Sequence, residues 1–416
     1  MIVDLKSTPH KTPRLIVEGG LVWSIIMYLP RDLTKTFQFA LSQFPAVLIT
    51  GPRQSGKSTF LQQVMRDAPY ITFDDPINRD FALHDPSGFL DQFHGRTVIL
   101  DEIQYVPDIF RYIKIRIDKD RRPGIWIMTG SQRFSLMKNV SDTLAGRIAV
   151  LELCPFSLGE NKSKNLEKVL WTGLFPEPSC YPAKRDLWLK SYIQTYLERD
   201  ILQIENIRNL RSFEMFVNLC AAFHSQEFRP ANLASNCGVS QPTIKSWSKA
   251  LEASYLAIML PPFFKNYGKR IIKTPKFYFL DPALVCYLTR QPSAESTIRG
   301  NMGGAIFEGL IISDVWKTFL NMGKDPSVFF WRSQSGLEVD LIIQAGGKLW
   351  PIEIKLTSSP SIRHLNSLKQ FKEMAGDEAA DYGILVCNVN ERREMPGKNI
   401  ALPWFAVSGW LNEILI

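Results

Sequence analysis

The chain of 416 residues is too long for one compact core, so about two to three domains are expected. A hydrophobic fraction of 45% marks a folded chain and excludes extensive disorder. The net charge of +8 and the pI near 9.1 fit an acidic partner such as nucleic acid. Lys and Arg are spread along the chain, however, and charge alone fits a merely basic soluble protein equally well.

Cys154, Cys180, Cys220, Cys237, Cys286 and Cys387 lie far apart, with no C-x-x-C pair and no Cys/His cluster. Neither zinc nor a disulfide framework is expected, and buried thiols in a reducing cytoplasm fit best. No apolar run approaches a membrane span. The start, MIVDLKSTPHKTPR, has an early Asp and no apolar segment, so a secretory signal is not expected. Residues 21–29 are apolar but short, interrupted by Ser24, and read as a core element.

Residues 31–44 place Leu33, Phe37, Leu41 and Phe44 on one helical face. The run AVLI at 46–49 reads as a buried parallel strand, and residues 60–64 as the start of a helix. Between them, residues 51–58 spell G-x-x-x-x-G-K-S. Strand, loop and helix in that order make a phosphate site of what would otherwise be a Gly-rich turn with a surface Lys. Gly51 and Gly56 leave room for backbone N–H groups to wrap phosphate oxygens, and the helix aims its positive end at the same anion. The nucleotide set is therefore Gly51, Pro52, Arg53, Gln54, Ser55, Gly56, Lys57, Ser58 and Thr59. Lys57 supplies the charge for the β and γ phosphates of ATP, and Ser58 the hydroxyl for Mg²⁺.

YITFD at 70–74 is a second strand candidate, and residues 76–95 have helical spacing. The strand TVIL at 97–100 ends on Asp101 and Glu102, where a parallel sheet binds its ligands. Asp101 is the candidate to hold Mg²⁺ through water, and Glu102 to polarise the attacking water. IWIM at 125–128 is a further buried strand. Just past its tip, Ser131 or Gln132 is the candidate to orient that water, with a plain turn as the alternative. Arg147, ahead of a strand at 148–153, is a candidate to stabilise transferred-phosphoryl charge, in cis or from a neighbouring subunit, against a surface or capping Arg.

GPRQSGKST, YITFDDP, VILDEIQYVPDIF, IMTGSQ, LAGR and CPFSLGE, in this order, resemble the AAA+-like bacterial and archaeal ATPases that pair a P-loop domain with a DUF4143-type carboxyl-terminal region. The resemblance continues through GLFPEP at 173–178 and YLERDI at 196–201 and covers the chain from about Arg31. The family usually has a second Gly where Leu174 stands. An AAA+-like ATPase domain is expected over residues 1–155.

Residues 156–212 are expected to form a helical lid or connector, with a long helix over 184–204; Glu198, Arg199 and Asp200 there read as a solvated face or a junction cluster. Residues 213–292 read as a small winged-helix-like module. A helix begins near Pro230, C-G-V-S at 237–240 turns, and a second helix runs over 241–253, the spacing of a helix-turn-helix. KFYFL at 276–280 reads as a wing strand. Gln241, Thr243, Lys245 and Ser246 would face a DNA groove if the module binds DNA, the alternative being an internal packing module.

In the last region, 293–416, a helix opens near residue 303 and carries Glu308. Strands at 329–332, 338–343 and 348–356 follow, with Asp340 on the second and E-I-K on the third. Alternation puts Glu353 and Lys355 on one strand face, and Asp340 on the adjacent strand can join them. This resembles the PD-(D/E)xK nuclease fold, with Glu308 as an extra acid. The resemblance implies that Asp340, Glu353 and Glu308 bind Mg²⁺ or Mn²⁺ and that Lys355 assists cleavage. A vestigial fold that only holds DNA or protein is the competitor.

The expected fold is thus α/β, a P-loop parallel sheet followed by a winged-helix module and a nuclease-like α/β domain. Three functions follow: an ATPase driving attached modules on DNA, a nucleotide-switched DNA endonuclease, or a nucleotide-binding interaction protein with little turnover. A homo-oligomer is compatible with all three.

Overall fold

The computed structural model describes residues 28–131, 143–196, 209–264, 274–333 and 335–415, together with two short strands ahead of them. Those strands, β1 (Ile16–Glu18) and β2 (Leu21–Trp23), pair as an antiparallel ribbon within a unit of their own, residues 1–30. β2 takes the first three residues of the expected apolar core element. Residues 31–416 form a second unit.

That unit begins with a sheet of five parallel strands: β3 (Ala46–Thr50), β4 (Tyr70–Thr72), β5 (Val98–Asp101), β6 (Trp126–Gly130) and β7 (Ile148–Glu152). Their spatial order is β4-β5-β6-β3-β7. Because helices cover both faces, the central strands are apolar at consecutive rather than alternate positions, with polar Thr50, Asp101 and Thr129 near their carboxyl ends. Ala46 and Leu48 of β3 enter one core, with Phe89, Phe110 and Ile113. Val47 and Ile49 enter the other, with Leu33, Phe37, Phe60 and Leu61. Each fully buried Val, Leu, Ile or Phe among them contributes about 1.5–3 kcal/mol. The predicted helix at 31–44 spans Thr34–Gln43, with Leu33 and Phe37 buried.

The middle of the unit is helical. Helices Leu158–Asn161, Leu166–Thr172, Pro176–Cys180 and Arg185–Tyr196 come first. The predicted long helix reaches Tyr196, and Glu198, Arg199 and Asp200 lie outside the described residues. Helices Leu210–Ala222, Pro230–Cys237 and Gln241–Ala253 follow. Gly238, at φ +67°, turns the chain between the last two, and the Ser240 side chain caps the third by accepting from the Thr243 N–H. Phe213, Phe216 and Trp247 fill the space between the helices with tilted and edge-on rings. Strands β8 (Ala257–Leu260) and β9 (Lys276–Phe279) then pair antiparallel, and helix Pro282–Leu288 starts at Asp281.

Asp281 ties these segments together. Its buried carboxylate accepts from the N–H groups of Leu174 and Ala283. Gly173, at φ +69°, passes so close that a Cβ there would lie 2.1 Å from Asp281 Oδ1.

The carboxyl-terminal part runs helix, three strands, helix, strand. Helix Gly303–Asn321 precedes β10 (Val328–Arg332), β11 (Glu338–Ala345) and β12 (Lys348–Lys355), an antiparallel meander. Helix Asn366–Ala375 leads to β13 (Gly383–Cys387), parallel to β12. β14 (Arg393–Met395), β15 (Asn399–Pro403) and helix Val407–Leu415 complete it, in sheet order β10-β11-β12-β13-β15-β14.

Candidate functional site

The loop after β3 has the backbone its glycines require. Gly51 has φ +146°, and a Cβ there would meet the Leu153 carbonyl at 2.2 Å. Gly56, at φ +93°, is the left-handed N-cap from which helix Lys57–Val64 starts. Gln54 shares the left-handed region at φ +58°. Pro52 and Ser55 are buried, Arg53 and Ser58 partly so, while Gln54 and Thr59 are exposed. Lys57 is buried and folds back to donate to the carbonyls of Gly51 (3.1 Å) and Pro52 (2.9 Å). Burial lowers its ammonium to about 8, against the raising pull of Glu102 and Asp101.

Asp101 ends β5 beside this loop. Its carboxylate accepts from the Ser58 hydroxyl at 3.1 and 3.3 Å, from the Tyr70 hydroxyl at 2.6 Å, and from Thr129. Burial and the bond to Asp101 raise the Tyr70 phenol, which stays a donor. Glu102 follows in the left-handed region at φ +57°, which turns its side chain off the strand direction. Its N–H donates to Thr129 Oγ1, and its Oε2 accepts from Gln104 and, at 3.4 Å, from Ser131 Oγ. The structure thus brings Lys57, Ser58, Asp101, Glu102 and Ser131 together at the carboxyl edge of the sheet. Gln132 lies outside the described residues.

Arg147 is not brought to this edge. It precedes β7, whose first residue pairs with Ala46, the first of β3. At about 3.3 Å per residue, some five residues separate it from the phosphate loop by roughly 16 Å. Its guanidinium pairs instead with Asp118 at 2.6 Å. A role in cis is therefore corrected.

Two residues beside the loop escaped the sequence reading. Arg31 is buried under it, donating to the Ser55 carbonyl (2.9 Å), to the Cys154 carbonyl and to Glu160 (3.0 Å). Tyr255 shares a 2.7 Å hydroxyl–hydroxyl bond with Thr50, the residue before Gly51.

The carboxyl-terminal residues also converge. Lys355 Nζ lies 3.1 Å from Asp340 Oδ2 and 2.6 Å from Glu353 Oε1. Asp340 accepts from the Ile354 N–H, and Glu353 from Ser367 Oγ at 2.6 Å. Glu308 comes close enough that Asp340, after burial, raises its carboxyl above the usual range. Burial and Asp340 raise the Glu353 carboxyl likewise. Yet among the described residues no three acidic, His or Cys groups are placed to hold a metal ion. Glu308 Oε1 accepts instead from Tyr278 (2.6 Å) and Lys276 (3.2 Å), and Lys276 also pairs with Glu338. As arranged, the residues do not fit the metal that the nuclease-like resemblance implies.

Gln241 and Lys245 are exposed on helix Gln241–Ala253, while the Thr243 hydroxyl is bonded to the Ser240 cap at 2.8 Å.

Three family matches tile the chain: an AAA domain at residues 43–162, a domain of unknown function (DUF8612) at 163–295, and a domain of unknown function (DUF4143) at 303–407. The second spans both the expected connector and the expected winged-helix module. Uncharacterised proteins of Mycobacterium tuberculosis and Mycobacterium bovis are each 31% identical over 336 residues, 80% of this chain and 75% of theirs. The solved structure of a Walker-type ATPase of Pyrococcus abyssi aligns over 62% of this chain and 94% of its own, at 15% identity and a TM-score of 0.44. No helix among the described residues is long and apolar enough to cross a membrane. With the phosphate loop, the parallel sheet and the carboxyl-terminal match in one chain, the protein belongs to the family of P-loop ATPases that join an AAA domain to a DUF4143 region, together with its mycobacterial relatives.

Proposed function

We propose that the chain hydrolyses ATP at the loop after β3 and uses nucleotide binding to act on the attached helical and carboxyl-terminal regions. The observation that carries this reading is the convergence of Lys57, Ser58, Asp101 and Glu102 at one sheet edge. Residues Gly51, Pro52, Arg53, Gln54, Ser55, Gly56, Lys57, Ser58 and Thr59 bind the phosphates, chiefly through backbone N–H groups and the helix end. Ser58 and Asp101, already within hydrogen-bond distance of each other, are the residues that would hold Mg²⁺. The ion, when bound with the nucleotide, neutralises charge on the β and γ phosphates.

Glu102 is the base that orients and polarises water, and Ser131 or Gln132 is the polar group beside the γ phosphate. Gln104 and Ser131 hold Glu102 Oε2 between them, so taking up this role requires the carboxylate to leave those bonds. Arg147, remote in its own chain, serves only from a neighbouring subunit, which makes the active form a homo-oligomer.

Coupling is supported by a buried chain of hydrogen bonds. Arg31 links the Ser55 carbonyl to Glu160, whose carboxylate closes a capping box with Ser157. The adjacent Leu158 N–H donates to Asp314 Oδ1 on helix Gly303–Asn321, and Ser408 donates to Asp314 Oδ2. A shift of the loop on nucleotide binding is thereby felt in the carboxyl-terminal region.

The partner we infer is DNA. The order helix, helix, turn, helix, two-stranded hairpin over residues 210–279 supports a winged-helix reading, with Gln241 and Lys245 exposed and Thr243 and Ser246 half-exposed on the third helix. The test measures ATP affinity and phosphate release for the wild type and Glu102→Gln, with and without duplex DNA. Unchanged affinity with turnover reduced about 10²-fold or more supports the assignment. Parental turnover removes Glu102 from the mechanism, and turnover indifferent to DNA removes DNA from the coupling.

A further inference from the structure

The carboxyl-terminal acids are neutralised by cations of the chain itself, and one of those cations comes from elsewhere in the fold. Glu308, Glu338, Asp340 and Glu353 stand on the helix, β11 and β12 of the carboxyl-terminal region. Lys355, which satisfies Asp340 and Glu353, stands on β12 beside them. Lys276 stands on β9, a strand of the preceding helical module that pairs with β8 and, at Lys276 itself, bridges to Glu227. Its side chain, 5% exposed, lies over the Phe330 ring and bridges Glu308 and Glu338. Tyr278, two residues on and so on the same strand face, donates to the same oxygen of Glu308.

We propose that Lys276, delivered by the helical module, occupies the cation position of the carboxyl-terminal acidic cluster, so that the cluster excludes a divalent metal ion while Lys276 is in place. The argument is electrostatic. Buried carboxylates that converge without a cation repel one another strongly. A buried ammonium ion-paired with two of them removes that repulsion and takes the lone pairs a metal would use. A divalent ion must therefore displace Lys276, and a buried Lys leaving both its partners is costly.

The β8–β9 hairpin and its flanks are tied into the carboxyl-terminal region: Phe263 is buried in that core against Phe329 and Phe371, backbone bonds join Phe263 and Pro261 to Phe330, and Ser313 Oγ donates to the Leu280 carbonyl. Loss of the Lys276 ammonium would leave Glu308 facing Asp340. This inference rests on the cluster's own geometry and stands or falls independently of ATP hydrolysis.

The test titrates Mn²⁺ into the nucleotide-free full chain and follows free Mn²⁺ by electron paramagnetic resonance. Wild type, Asp340→Asn, Lys276→Met and the Lys276→Met/Asp340→Asn pair are compared, so that any binding at the phosphate loop cancels. The expected result is the same Mn²⁺ uptake for wild type and Asp340→Asn, and about one additional ion per chain for Lys276→Met that the added Asp340→Asn abolishes. Wild-type binding lost on Asp340→Asn overturns the proposal, because the cluster then accepts metal with Lys276 in place. A folded Lys276→Met chain that binds no additional Mn²⁺ overturns it as well. If Lys276→Met does not fold, Lys276→Gln, which keeps a polar side chain of similar reach without the charge, takes its place with the same expected and overturning results.

Discussion

The buried Lys57 makes ATP binding depend on pH in a defined direction. Its side chain is 5% exposed, and burial lowers its ammonium from 10.5 to about 8 despite Glu102 and Asp101 nearby. Bound phosphates add negative charge at the ammonium and restore it toward its ordinary range. The free site thus binds fewer protons than the occupied site at alkaline pH, and affinity must fall as pH rises through about 8. Between about pH 7 and about pH 9 the protonated fraction of the free site drops from roughly nine-tenths to roughly one-tenth, so the dissociation constant should rise about tenfold, ~1.4 kcal/mol. Isothermal titration calorimetry in buffers of different ionisation heat reads both the affinity and the uptake of close to one proton at the higher pH. Lys57→Arg, which cannot deprotonate in this range, should bind more weakly throughout but without the step. An affinity flat across this range, or an identical slope in Lys57→Arg, would refute the reasoning.

Other outcomes follow from the same geometry. Gly173→Ala would place a Cβ 2.1 Å from Asp281 Oδ1 at a φ of +69°, and should lower stability by roughly 2–5 kcal/mol in a denaturant melt. Tyr255→Phe removes the bond to Thr50 and should cost about 1 kcal/mol. Combined with Thr50→Val it should cost less than the sum of the two single changes, and additive costs would show that the bond contributes nothing. DNA affinity should fall steeply from low to moderate salt, and Lys245→Ala should weaken it further and shallow the salt slope, as loss of one phosphate contact requires. A flat salt dependence would remove DNA from the partners.

What was legible in the sequence was chemistry carried on one continuous stretch or one strand. The loop Gly51 to Ser58 announces itself because backbone conformation, charge and helix start are fixed by adjacent residues. Asp101 and Glu102 follow from the end of an apolar strand, and Glu353 with Lys355 from simple alternation. What was missed arrives from far along the chain: Arg31 reaches Ser55 across 24 positions, Lys276 reaches Glu308 across 32, and Tyr255 reaches Thr50 across 205. Nothing in the local pattern around Tyr255 or Arg31 marks such a contact. Lys276 and Tyr278 did carry a signal, since a Lys two residues from a Tyr on a short strand presents both to one face. For Arg147 the sequence left open a role in cis, one from a neighbouring subunit, and a surface or capping role. A residue ahead of a parallel strand lies at the edge opposite the ligand site, which excludes a role in cis.

The central claim is catalytic turnover at the phosphate loop. Its most direct test is steady-state phosphate release from ATP and Mg²⁺ by the purified full chain beside Lys57→Ala. The account predicts release that saturates with ATP in the wild type and falls to the buffer rate in Lys57→Ala. Release that persists in Lys57→Ala, or a wild type that binds ATP and releases nothing above the buffer rate, would contradict it.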